Sequence, residues 1–269
     1  MRKTRNICAA ALLLLVAGAL HAQPMGPKTR TGSEIGATLS HYRYEESSLN
    51  VKLDGYKGGL DLAVITNPRG AWFFRWEGRY AYGDTDYSGS GTKSGNTDWY
   101  ADLRGLVSRD FDHGTYVLAP YTGLGFRYLF NDIRGTTSTG AVGYTRISQY
   151  TYLPVGVTHR LRLESGARLA TTLEGDYLIK GRQTSTLSDA SPLFADVTND
   201  QRNGYGIRGS MYYEKDRWLL GPWFQYWRTT RSDPAPLLAT IAGTTFIVGT
   251  AFEPANKTTE IGLRFAYRF

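Results

Sequence analysis

From Ile261 to the end of the chain, every second side chain is large and apolar: Ile261, Leu263, Phe265, Tyr267 and Phe269. Between them stand Gly262, Arg264, Ala266 and Arg268. A period of two describes a β-strand with one apolar face and one small or charged face. Residues 72–82 repeat the pattern more fully. Trp72, Phe74, Trp76, Gly78, Tyr80 and Tyr82 alternate with Phe73, Arg75, Glu77, Arg79 and Ala81. Aromatics lie toward both ends of one face, and charge fills the middle of the other. In a soluble protein the charged face would meet water. Here it fits a closed interior, with lipid against the aromatic face.

The alternation recurs in about ten segments, near residues 34–45, 59–64, 72–82, 98–107, 116–128, 148–158, 167–179, 205–214, 218–227 and 258–269. Connections between them are short and long in turn. Asn67-Pro68-Arg69-Gly70, Asp112-His113-Gly114 and Lys215-Asp216 are turn sequences, whereas residues 84–96, 131–144, 181–203 and 232–256 read as long polar loops. This predicts an all-β fold: a transmembrane, antiparallel, up-and-down β-barrel of about ten strands, with eight or twelve as the alternatives. Twelve would require residues 237–252 to supply two strands. Split at Gly243, each half is shorter than the roughly 9–11 residues a tilted crossing needs, so an extracellular hairpin is expected. Pro120 predicts a local bulge. The segment around Pro154 is the weakest strand. Closure follows from physics, because hydrocarbon offers no water to an open sheet edge. A soluble β-sandwich or lipocalin-like fold is the rival.

The start of the chain carries Arg2, Lys3 and Arg5, an apolar run over residues 7–20, and Leu20-His21-Ala22. This is the pattern of a secretory signal peptide over residues 1–22, with Ala19 the other cleavage point, leaving residues 23–269 as one barrel domain. The one cysteine, Cys8, leaves with it, so the exported chain has no disulfides. Removing those three basic residues lowers the net charge from +7 to +4. Neither that balance nor export suits nucleic acid. A mean hydropathy of −0.35 reads as soluble, but a barrel shows lipid only every second residue.

The ending Tyr267-Arg268-Phe269 resembles that of the small outer-membrane β-barrel family, which includes OmpA-like and porin-like members. The resemblance covers essentially the whole chain after the signal, through architecture and this ending. It implies the outer membrane of a Gram-negative cell envelope, with outer-membrane lipid as surroundings. It also implies that Phe265, Tyr267 and Phe269 form a signal read by the outer-membrane assembly machinery.

Parity assigns the interior. Arg75, Glu77, Arg79, Asp98, Asp102, Arg104, Arg127, Arg168, Glu174, Asp176, Arg208 and Arg264 should form a charge network in the lumen, joined by Asp61 and Glu214. Lys180 falls on the same face. Arg75 and Arg79 are expected to meet Asp98 and Asp102 on the next strand. Tyr100, Tyr121, Trp223 and Trp227 should also point inward, which favours a plugged barrel. A selective pore lining is the rival.

Catalytic chemistry finds little support. Asp84-Thr85-Asp86 resembles the Asp-x-Asp pair of omptin proteases, ten-stranded barrels that pair it with Asp-x-His at the extracellular rim. No Asp-x-His accompanies it: the later histidines are His41, His113 and His159. As a calcium loop the same stretch fails at Gly95, where a glutamate is needed. Ser40 and His41 lie on opposite faces, against a Ser-His pair. No cofactor and no metal site is expected. The expectation is a non-enzymatic barrel whose long loops offer a surface for a ligand. A narrow, porin-like passive channel is the second reading and an omptin-like rim hydrolase the third.

Overall fold

In the computed structural model, residues 26–46 and 48–269 are described, and the expected signal peptide lies outside them. In chain order the strands are β1 (Gly32–Glu46), β2 (Val51–Arg69), β3 (Trp72–Gly89), β4 (Gly91–Arg109), the two-residue β5 (Phe111–Asp112), β6 (Tyr116–Thr136) and β7 (Val142–Arg162). Then come β8 (Arg168–Thr186), β9 (Val197–Gln201), β10 (Gly204–Lys215), β11 (Trp218–Thr229), β12 (Ala235–Ile241), β13 (Thr244–Ala251) and β14 (Asn256–Arg268). Ten of them close an antiparallel ring in the order β1-β2-β3-β4-β6-β7-β8-β10-β11-β14. The seam sets Ile35 opposite Tyr267 and Leu39 opposite Leu263. β9 pairs with β8 beyond the end of β10 and continues the wall. β12 and β13 form a separate hairpin. It is docked through hydrogen bonds from Ala195 N to Leu238 O and from Thr240 N to Leu193 O. The barrel count is therefore ten.

The outward face is greasy over a limited height. On β3 the aromatic side chains run from Trp72 to Tyr82, all directed away from the lumen except Phe73. The ten steps between them, at a rise of about 3.3 Å and tilted by about 40°, span roughly 25 Å, the height of a lipid-facing band. Trp218, stacked on Phe265 at 4.9 Å, marks the lower margin at the same end of the barrel as Trp72. Trp99, stacked on Tyr128 at 5.3 Å and Phe130 at 5.4 Å, marks the upper margin beside Tyr82. Aromatic rings suit both margins because one end of the side chain is apolar and the other tolerates water.

Several expected loops are sheet instead. β3 and β4 run through residues 84–96 and turn tightly at Ser90, with Lys52 opposite Ser88 on the neighbouring strand. β6 and β7 likewise occupy most of residues 131–144, and β8 and β9 pair within residues 181–203. Backbone pairing needs no apolar face, so the ladder continues above the lipid where alternation stops.

Three local expectations change as well. β7 runs unbroken through Pro154. At Pro120 the register is unshifted, with Ser108 opposite Tyr121 and Phe111 opposite Leu118; the missing N–H coincides with the gap between β4 and β5. The bulge lies elsewhere. Tyr152 pairs with Leu178 but Thr151 with Lys180, so Ile179 is the extra residue, and Lys180 is exposed rather than luminal.

Candidate functional site in the lumen

The twelve charged side chains expected to form the network, with Asp61 and Glu214, point inward in stacked tiers; Lys180 does not. In the tier nearest the strand ends at Trp72 and Trp218, Glu34 accepts hydrogen bonds from Arg268 at 3.0 Å and Arg264 at 3.4 Å. Glu214 accepts one from Arg168 at 2.6 Å.

The next tier is a chain of ion pairs. Asp61 lies 2.7 Å from both Arg79 and Arg264. Glu77 lies between Arg75, at 2.5 Å, and Arg104. Arg104 crosses to Glu174 at 2.6 Å, which also accepts the Tyr121 hydroxyl at 2.6 Å. Arg208 bridges Asp176 at 2.7 Å and Asp102 at 2.9 Å.

Above it, Arg127 stacks 4.2 Å over Tyr100 and donates to Gln225 at 2.9 Å. Lys57 pairs with Asp98 and lies 3.6 Å over the Tyr42 ring. Tyr100, Tyr152 and Glu260 are 0 % exposed, and Arg127 and Gln225 are 1 % exposed. These side chains come from β4, β6, β7, β11 and β14 and fill the cross-section. Charges withdrawn this far from water need partners: Arg127 lies 3.7 Å from Asp102, and Glu260 accepts hydrogen bonds from Ser40 and Gln225.

The expected pairing between β3 and β4 is not the one formed. Arg79 stands opposite Asp102 in register, yet its carboxylate is Asp61 on β2, and its guanidinium stacks 4.2 Å from Trp223. Arg75 lies opposite Leu106 and turns to Glu77 and Glu34, while Asp98 takes Lys57. Arginine reaches past its nearest cross-strand neighbour, so register alone does not choose its partner.

Sequence reasoning overlooked Glu34, Lys57, Glu260 and Arg268. Parity marks each of them: Glu34 alternates with the outward Ile35, and Lys57 shares the inward phase of Asp61. A further tier lies where the strands continue past the Trp99–Tyr82 margin. Arg146 is 2.7 Å from Glu46 and also holds Glu253, while the Tyr44 hydroxyl donates to Glu46 at 2.6 Å and lies 3.1 Å from Glu253. Burial, then the negative Glu46 beside it, raise the Glu253 carboxyl above its ordinary value, against the pull of Arg146.

The interior is not filled at the opposite end. A cavity of about 160 Å³ remains below the Tyr100–Arg127 tier. The segment that precedes β1 covers part of its outer end. Pro27 is buried, Thr29 donates twice to Asp110 at 2.7 Å, and Arg168 donates to the Lys28 carbonyl at 2.7 Å.

Asp84 and Asp86 lie on the outer wall, exposed, with Thr85 between them facing inward. Asp86 stands opposite Asp54, which holds His41 at 3.0 Å. Among the described residues, no group of three or more His, Cys, Asp or Glu is placed to hold a metal ion.

No family model matches this chain, and no curated protein does. Solved structures do resemble it. The outer membrane protease OmpT from Escherichia coli is 11% identical, over 88% of this chain and 94% of that one, with a TM-score of 0.52. The fold is that of an outer-membrane β-barrel. The beta domain of the Bordetella autotransporter BrkA (14% identical, 88% of this chain, 100% of that one, TM-score 0.42) and Neisserial surface protein A (13%, 89%, 98%, 0.35) are looser matches. At these identities the likeness is one of fold, and the chemistry has to be read from this chain's own residues.

Proposed function

We propose that the chain is a sealed barrel of the bacterial outer membrane, a rigid non-conducting scaffold that carries an extracellular interaction surface. The observation that carries this reading is the full burial of Tyr100, Tyr152, Arg127, Gln225 and Glu260 across one cross-section. A pore needs a continuous wet path, and this tier offers none. The apolar band with its two aromatic margins supports outer-membrane lipid as the surroundings. The exposed Phe269 ring, in line with Phe265 and Tyr267, supports a role for this ending in assembly. The reading contains no catalytic step: Asp84 and Asp86 point away from the lumen, and His41 is engaged with Asp54.

Single-channel recording on the refolded mature protein tests it. A silent bilayer is expected for the wild type, with folding verified by heat-modifiable gel migration. A Tyr100→Ala/Arg127→Ala variant should then give discrete steps, which shows that silence reflects the plug and not failed insertion. Reproducible steps from the wild type would establish the narrow channel instead.

A further inference from the structure

The cavity below the plug is unbalanced in charge. Arg30, Arg75, Arg160, Arg168 and Arg268 reach its outer end, and the carboxylates there are Glu34, Glu214 and Asp110. Arg75 is balanced by Glu77 at 2.5 Å, but over the whole lining nine arginines face six carboxylates, and Asp110 beside Arg160 makes seven, an excess of two. Two arginines account for it. Arg160 is 8 % exposed, its Nη1 lacks a hydrogen bond, and its carboxylate neighbour, Asp110, lies 3.5 Å away and is already engaged by Thr29. Arg30 meets no carboxylate within 4.0 Å among the described residues and instead donates to the Asp216 carbonyl at 2.5 Å. Burial and the nearby Arg268 and Arg168 cations depress the Arg30 guanidinium below its ordinary value, the direction an uncompensated positive cluster produces.

We propose that this vestibule binds a free phosphate dianion between Arg30, Arg160 and Arg168, with residues 27–31 as its cover. A dianion matches the excess of two, whereas a single carboxylate would leave one positive charge unpaired. Guanidinium forks match tetrahedral oxyanions geometrically, and desolvated charge-assisted hydrogen bonds are the strong ones. The volume of about 160 Å³ holds a phosphate with a few waters. The cover is tied by Thr29 to Asp110 and by Lys28 to Asp112 at 3.1 Å, side-chain contacts that can open without breaking the barrel ladder.

The test is a titration of the refolded mature protein in detergent micelles with inorganic phosphate, at constant ionic strength, followed by ³¹P line broadening. Saturable broadening is expected. Arg160→Gln and Arg30→Gln should each weaken it at least tenfold. Arg30 precedes the barrel strands, so its variant keeps the test valid even if Arg160→Gln fails to give the heat-modifiable folded form. Phosphatidate vesicles, which present the same phosphate on lipid, should not compete with the free ion. Absence of saturation, or saturation unchanged in Arg30→Gln, overturns the site; competition by the vesicles overturns its assignment to free phosphate. Conductance is a separate readout, so failure here leaves the sealed-barrel reading to its own experiment.

Discussion

Arg146 on β7 reaches Glu46 on β1 at 2.7 Å, although these strands stand on opposite walls of the ten-stranded ring. The same guanidinium holds Glu253 in the connection between β13 and β14. One cation therefore fastens both walls and the segment that returns to β14.

Arg146→Met should release that segment. It would strand two buried carboxylates, a change that costs about 3–5 kcal/mol when a buried pair loses one partner. Limited proteolysis within residues 230–255 is expected to accelerate at least tenfold while the barrel retains its heat-modifiable migration. Unchanged cleavage would show that backbone contacts alone hold the segment.

The fastening should weaken as pH rises. The Glu253 carboxyl sits above its ordinary value of 4.5, facing Arg146, Glu46, Tyr44 and Tyr144. The folded state thus holds the Glu253 proton more tightly than the unfolded one. Its contribution is fully present below about 4.5 and is lost as pH climbs through the raised value. Hydrogen exchange at the Glu253 amide, which donates to Ser232 Oγ at 2.8 Å, reports it. Protection, corrected for intrinsic exchange, should be greater at pH 5 than at pH 8. Glu253→Gln should flatten the difference.

In the lumen, a lone neutralisation should hurt more than a matched pair. Arg208→Met leaves Asp176 and Asp102 without a main partner and should lower stability by about 3–5 kcal/mol. Adding Asp176→Leu removes one stranded charge and should recover part of it. Unfolding by denaturant in micelles gives both values, and equal losses would refute the coupling.

Arg75→Ala should be milder than Arg127→Ala. The Arg75 side chain is 31% exposed in the vestibule, so water can solvate the Glu77 it leaves, whereas that of Arg127 is 1% exposed. Permeation should change little with Arg75→Ala, since the plug lies above it. Equal losses of thermal stability in the two variants would reverse this ranking, and an ion flux raised by Arg75→Ala at unchanged stability would give Arg75 a role in permeation instead.

Phe269→Ala should impair assembly more than stability. The residue is 68 % exposed and its ring packs on Tyr267, while its amide already bonds Ser33 O at 2.8 Å. Yield of folded protein from cells is expected to fall severalfold, with the melting temperature within a few degrees of wild type.

How much of this was legible depends on where each residue sits relative to the lipid. β3 and β14 could be read directly, because lipid on one face and charge on the other impose a period of two. Lys57 and Glu34 are equally legible by parity. Residues 84–96 were read as a loop because both faces of the sheet there meet polar surroundings, and alternation vanishes while pairing persists. Lys180 was misassigned because a single inserted residue, Ile179, reverses parity without altering composition. The pairing of Asp98 with Lys57 depends on side-chain reach across a curved wall. Arg146, Glu46 and Glu253 lie far apart in sequence, and only ring closure brings them together.

The ladder of β3 and β4 continues seven residues past Tyr82 to Gly89, roughly 15–20 Å beyond the lipid margin. A mobile loop surrenders conformational freedom when it grips something. These residues surrendered it when the chain folded. Capture at the tip would therefore start from a pre-ordered surface, with a small entropic penalty and a contact geometry that varies little from molecule to molecule.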